Sequence, residues 1–166
     1  MPDKEFTITR VFSASRETVW TMLTDAKHLC KWWGPPGMPM QARTMELHPG
    51  GMFLYSLTLP DGKPMWAKFT YERIDPPSQL TFINAFSDAE GGLSRYPGEP
   101  DWPREMHTTI TLQEQGGKTT LTLKSHAINA TDAERKVFLG GHASMDQGYG
   151  ASFDQLGKYL AALPGA

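Results

Sequence analysis

The residues able to do acid–base, nucleophilic or metal chemistry are scattered along this chain. Five histidines, His28, His48, His107, His126 and His142, occur without an HExxH helix motif, an HxH pair or the Cys-His spacing of a zinc site. No metal and no cofactor is expected on that basis. His48 falls in the turn "HPGG" and His28 on the outer side of a short helix, places where a solvated imidazole suffices. His107 and His126 fall on neighbouring strands, where a cross-strand pair is the commoner arrangement than a ligand set. The single Cys30 excludes an intramolecular disulfide and has no activating base beside it in sequence. "GKTTLTL" carries the letters of a phosphate loop, but its Gly-Lys-Thr leaves a hairpin and enters a strand, whereas a phosphate loop must open a helix. "GASFD" lacks the Gly-x-Ser-x-Gly elbow of a serine hydrolase. Glu46, Glu72 and Glu105 have no evident catalytic partner. The informative groups are Tyr55, Tyr71 and Asn84, which sit among aromatics. A buried hydroxyl or amide must find a partner, and a neighbouring strand, a trapped water or a ligand can each supply one.

The elements that position these groups follow from periodicity. "KEFTITRVF" alternates as a first strand. Ser15 can cap a short helix to about Leu23, and Asp25 can cap a second, "AKHLCKWW", which Gly34-Pro35-Pro36 would stop. From about Gln41 the period is two through six further segments joined by "HPGG", "PDGK", "IDPPSQL" and "EQGGK", which predicts an antiparallel sheet. Residues 87–105 are too rich in Gly and Pro, and too many, for a tight turn, so they read as a functional or mobile loop within the domain. Thr131 and Glu134 form a capping box that opens a long C-terminal helix, broken or kinked at Gly140-Gly141. Beyond the break, Met145, Tyr149, Ser152, Phe153, Leu156, Tyr159 and Leu160 recur every three or four residues as an apolar stripe. The sheet is the only large partner available to it.

Alternation also sorts the sheet residues. One face collects Phe53, Tyr55, Leu57, Phe69, Tyr71, Leu80, Phe82, Asn84, Phe86, Met106, Thr108, Ile110, Leu112, Leu121 and Leu123. A helix laid across a curved sheet need not touch it along its whole length, so a cavity can remain between them. The neighbouring tryptophans Trp32 and Trp33 point about 100° apart on a helix and cannot both enter one core. One is expected to pack inward and the other to line or cover the cavity entrance. The expected ligand-binding set is Trp33, Phe53, Tyr55, Phe69, Tyr71, Phe82, Asn84, Phe86, Met106, Tyr149 and Phe153. An enzyme using Tyr55, Tyr71, Asn84 or His107 as acid–base or orienting groups is the least supported alternative.

The bulk composition narrows the partners. The 166 residues, 39% hydrophobic and 20% charged with a net charge of -2, fit one globular domain over residues 1–166 that folds without a staple. The 16 Lys and Arg form no basic stripe, which argues against nucleic acid. No export signal and no membrane span is visible, and the lone cysteine suits a reducing compartment, so the cytoplasm is the expected location. The expected state is a monomer or weak homodimer.

Five stretches in one order carry a resemblance: "VFSASRETVWTMLTDAKHLCKWWGPPG", "LHPGGMFLYSLTLPDG", "YERIDPPSQLTF", "TITLQEQGGKTTLTL" and "GYGASFDQLGKYL". Together they resemble the activator of heat shock protein 90 ATPase homologue family, within the helix-grip superfamily of START and birch-pollen-allergen-like proteins. The resemblance covers nearly the whole chain. It implies an α+β helix-grip fold, a curved seven-stranded antiparallel sheet (β-α-α-β6-α) wrapped around a long C-terminal helix and an apolar cavity. The function it implies is binding of a small hydrophobic or lipid-like ligand, with a chaperone-associated role in the stress response as alternative. The wider superfamily also holds cyclases and hydroxylase subunits, which keeps a cavity enzyme as a further reading. Tyr149 departs from the pattern, since relatives usually carry Trp there, and the loop at 87–105 exceeds that of the shortest members.

Overall fold

The computed structural model describes residues 5–34, 37–96 and 99–163. Its strands are β1 (Phe6–Phe12), β2 (Met40–Met45), β3 (Met52–Thr58), β4 (Pro64–Asp75), β5 (Gln79–Ser87), β6 (Glu105–Gln115) and β7 (Lys118–Ile128). Its helices are α1 (Arg16–Thr24), α2 (Ala26–Leu29), α3 (Asp132–Gly140) and α4 (His142–Ala162). The strands form one antiparallel sheet in the order β1-β7-β6-β5-β4-β3-β2. This is the α+β helix-grip arrangement, with two helices at the C-terminal end where the sequence predicts one broken helix.

Local chemistry sets these boundaries. The Ser15 hydroxyl accepts from the Thr18 amide at the start of α1, and Asp25 does the same for Lys27 in α2. Gln115 pairs with Lys118 across Gly116 and Gly117, whose φ values of 61° and 79° give the two-residue hairpin that alternating sequence and a Gly-Gly pair demand. Register slips at Ala42/Thr44 in β2 and Tyr71/Arg73 in β4 are bulges, the device that bends a strand. Thr131 and Glu134 make the capping box of α3, and Gly141 separates it from α4.

The core lies between one sheet face and the helices. Every residue assigned to that face by alternation is buried except Asn84 and Phe86, which are half-buried. α4 is fastened at several points along its length. Asp154 pairs with Arg10 of β1 at 2.6 Å, and Gln155 donates to the Trp32 and Gly34 carbonyls at 3.1 and 3.0 Å.

Two expectations are corrected. The second helix ends at Leu29, and residues 30–33 continue as turns in which the Trp33 amide still donates to the Leu29 carbonyl at 3.0 Å. Pro35 and Pro36, expected to stop it, lie outside the described residues. His28 is not merely solvated: its Nδ1 is 2.7 Å from the Tyr159 hydroxyl, which ties α2 to the last turns of α4.

Candidate functional site

α4 presents two different surfaces to the sheet. Its C-terminal half projects Phe153, Leu156 and Leu160, all buried, onto the core. Its N-terminal half offers Ser144, Gly148 and Ser152 at four-residue spacing, so three small residues stack along one line with Met145 and Tyr149 beside them. Small side chains on the helix cannot reach the sheet, and a cavity of about 610 Å³ is left there. Its sheet wall is Tyr55 and Leu57 from the end of β3, Met65 and Ala67 from the start of β4, Asn84 and Phe86 from the end of β5, and Met106 from the start of β6. Leu59, the turn residues Trp33, Gly34 and Met38, and the loop residues Tyr96 and Trp102 complete it. No charged side chain is among these lining residues.

The tryptophan pair divides as its geometry requires. Trp32 is 1% exposed, and its indole N–H donates to the Met22 carbonyl at 3.0 Å, so a large apolar ring enters the core with its one polar atom satisfied. Trp33 faces the cavity, edge-on to Phe69 at 5.3 Å and to Tyr149 at 5.7 Å between ring centroids. The chain leaves Trp33 through Gly34 at φ 96°, a conformation that favours glycine, and the Gly34 carbonyl accepts from Ser152 and Gln155 of α4.

Of the residues expected from sequence, Trp33, Tyr55, Asn84, Phe86, Met106 and Tyr149 line the cavity. Phe53, Phe69, Tyr71, Phe82 and Phe153 do not. The first four form a closed aromatic layer beside it, with Phe69 stacked on Phe82 at 4.1 Å and edge-on to Phe53 at 5.4 Å, and Phe153 packs against Phe12 and Trp32. Alternation gives the face a residue shares but not what packs over it: Trp33, not Phe153, lies edge-on to Phe69 of this layer. Ser144, Gly148, Met38 and Met65 were not anticipated as lining, although the small residues at 144, 148 and 152 carry a readable signal. The loop between β5 and β6 contributes more than its composition suggests. Tyr96 stacks on Phe86 at 5.1 Å, Trp102 packs against Phe138 at 5.8 Å, and Arg95 pairs with Glu134 at 2.8 Å. Glu134 therefore caps α3 and holds the loop with the same carboxyl group. The Thr131 amide and Arg95 keep that carboxyl below the usual carboxylate range.

The polar groups near the cavity are neutral. Burial pushes the Tyr55 phenol up to about 12, with a polar contact from the Trp33 side chain opposing it. Burial also pushes Tyr71 and Tyr149 up, and the nearby Tyr55 adds to both. The buried Tyr71 hydroxyl has no hydrogen-bond partner among the described residues. Asn84 accepts from the Thr108 hydroxyl through Oδ1 at 2.6 Å, and Thr108 lies 3.1 Å from the Ser125 hydroxyl. His107 is removed from this set, contrary to its inclusion among possible acid–base groups. Its neighbours Met106 and Thr108 point inward, so His107 lies on the opposite sheet face, 2.9 Å from Glu72 and with its ring 5.1 Å from that of His126. Burial first, and His107 second, push His126 down. Burial likewise pushes the Cys30 thiol up, which disfavours the thiolate. Among the described residues no three His, Cys, Asp or Glu side chains group as a metal site would need.

The sequence matches the family described as "Activator of Hsp90 ATPase homolog 1-like protein" over residues 13–161. The chain belongs to this family. Solved structures place it in the same fold. A Mycobacterium smegmatis protein is 25% identical with a TM-score of 0.79, and the match covers 98% of this chain and 94% of that one. An Arthrobacter aurescens protein is 25% identical with a TM-score of 0.81 over 98% and 88% of the two chains. A Rhodobacter sphaeroides protein, 22% identical, has a TM-score of 0.78 over 98% and 95%. No curated protein matches at a significant level. No helix among the described residues is long and apolar enough to cross a membrane. Within the family fold, Tyr149 stands at the cavity wall, stacked between Phe6 at 5.8 Å and Phe153 at 6.2 Å.

Proposed function

We propose that this protein binds a small hydrophobic or lipid-like molecule in the cavity between the sheet and the first half of α4. The observation that carries the reading is the cavity itself, whose volume of about 610 Å³ and uncharged aromatic and methionine-rich wall match the common form of organic-ligand sites, roughly 300–1,000 Å³. The methionines Met38, Met65, Met106 and Met145 suit a guest of irregular shape because their side chains re-pack readily. Native mass spectrometry of freshly purified protein, with tryptophan quenching against fatty acids, sterols and aromatic polyketides, tests it. A co-purifying species or saturable quenching is expected, and the absence of both would defeat the reading.

The family description favours a second reading, a chaperone-associated module acting through its surface. Co-purification with the host's own heat-shock ATPase and faster ATP turnover on addition of the protein would support it; no association and unchanged turnover would remove it.

A further inference from the structure

Resting on the carrier reading, we infer that the guest is an uncharged, largely apolar molecule that presents a carbonyl-type hydrogen-bond acceptor to the Asn84 side-chain amide. The wall offers no charged side chain, so an ionised carboxylate or ammonium pressed against it would lose its hydration without compensation. Beside the tyrosine and serine hydroxyls of its lining residues, the wall has one amide, Asn84, and what that amide offers is set by a buried chain of hydroxyls. Thr108 and Ser125 are each 0% exposed, pair directly across β6 and β7, and lie behind Asn84.

The direction of this chain follows from counting protons. Ser125 has no side-chain hydrogen-bond partner but Thr108 among the described residues, so its hydroxyl donates to Thr108, and Thr108 donates to Asn84 Oδ1. Turning the amide round would make Asn84 the donor to Thr108 and Thr108 the donor to Ser125. The Ser125 proton would then be buried with no acceptor, which costs more than a hydrogen bond gains. The order in which Ser125 donates uses every hydroxyl proton and commits Oδ1 to the wall. It leaves Nδ2, a donor without a partner among the described residues, as the polar group Asn84 presents to the cavity. The Ser152 hydroxyl, by contrast, is committed to the Gly34 carbonyl at 3.0 Å. A guest ketone, ester or amide oxygen satisfies Asn84. A purely hydrocarbon guest leaves it unpaired, and an anionic guest lacks a countercharge. Thr108 and Ser125 act as positioning residues for Asn84.

Equilibrium dialysis of the full chain against acetylnaphthalene, ethylnaphthalene and naphthoate, all substituted at the same ring position, tests this. The readout is the preference for ketone over hydrocarbon, the ratio of their dissociation constants, compared between variants so that differences in solubility cancel. Asn84→Leu is expected to reduce that preference about fivefold or more, the value of one net hydrogen bond. Thr108→Val is expected to shift it the same way by freeing the amide, and Thr108→Ser to restore it, a pattern that loss of packing alone would not produce. Naphthoate is expected to bind at least about tenfold more weakly than the ketone at neutral pH. Asn84→Ala, which adds no bulk, serves where Asn84→Leu does not fold. A preference unchanged by both Asn84 and Thr108 replacement, or naphthoate binding as tightly as the ketone, would overturn the inference while leaving the carrier reading standing. Uptake of none of the three probes would instead defeat the carrier reading, and the inference with it.

Discussion

Two regions of the inner sheet face are built from the same kind of strand residues and end differently. The aromatic layer of Phe53, Phe69, Tyr71 and Phe82 is packed shut, with Trp33 edge-on to Phe69 at 5.3 Å. Under Ser144, Gly148 and Ser152 a comparable face of Tyr55, Leu57, Asn84 and Met106 borders about 610 Å³ of open volume. The strands are therefore not what decides between core and cavity. What faces the strands decides it: the small residues 144, 148 and 152 of α4 border the open volume, and Trp33 packs on the closed layer. Stability and binding are thereby separated along a single sheet face.

That division can be broken most forcefully from the closed side. Phe69→Ala should cost about 3–5 kcal/mol in denaturant unfolding, because it opens a void in a layer where Phe69 is 2% exposed and stacked on Phe82. Met106→Ala, on the open side, should cost distinctly less, since that side chain already borders empty space. Alkaline pH attacks the boundary between the regions. Tyr55, whose phenol is pushed up to about 12, ionises more readily in the unfolded chain, at about pH 10, so its share of stability is complete below that value. Stability should fall as pH rises from about 10 through 12, with Tyr71 and Tyr149 acting in the same direction, and Tyr55→Phe should flatten the decline. Denaturant midpoints across that range provide the check.

The open side is sharpened by filling it. A Cβ at Gly148 meets nothing within 4 Å, whereas one at Gly150 lies 3.2 Å from Arg10 Nη2. Gly148→Ala should therefore stabilise by about 0.5–1 kcal/mol, and Gly150→Ala by less. Gly148→Leu should weaken uptake of an apolar guest about tenfold or more without loss of fold, read by dialysis and thermal melting together. The smallest effect is expected at the loop. Arg95→Ala removes the pair with Glu134, and because Arg95 is half exposed the change in global stability should stay below about 1 kcal/mol. Amide exchange around Tyr96 should nonetheless quicken, since that pair, with Trp102 on Phe138, fastens the segment bordering the cavity.

Much of this arrangement is legible in the sequence, for physical reasons that differ by residue. Strict alternation placed Tyr55, Asn84 and Met106 on the inner face because a strand has only two sides. Ser15, Asp25 and Thr131 were recognisable because capping needs a particular side chain at a particular offset. That the two neighbouring tryptophans part was legible, but not which of them turns inward, because residues 30–33 form turns and not the helix whose spacing was used. Depth along the sheet was not legible, since whether Phe69 or Phe86 meets open space depends on what packs above it, Trp33 in the case of Phe69. The partner of His28 was hidden as well, because Tyr159 lies 131 residues away in sequence. His107 was drawn into the candidate set by residue type, although its odd position between Met106 and Thr108 already assigned it to the outer face.

The methionines allow a direct reading of the two regions. With carbon-13 labels on the methionine methyl groups, titration with ethylnaphthalene should move the signals of Met38, Met65, Met106 and Met145, which line the cavity, saturably and together. Met22, buried in the core, and Met45, packed against it, are absent from the lining and should stay in place. Signals that remain still throughout, or that move equally in both groups, would contradict a cavity confined to the first half of α4.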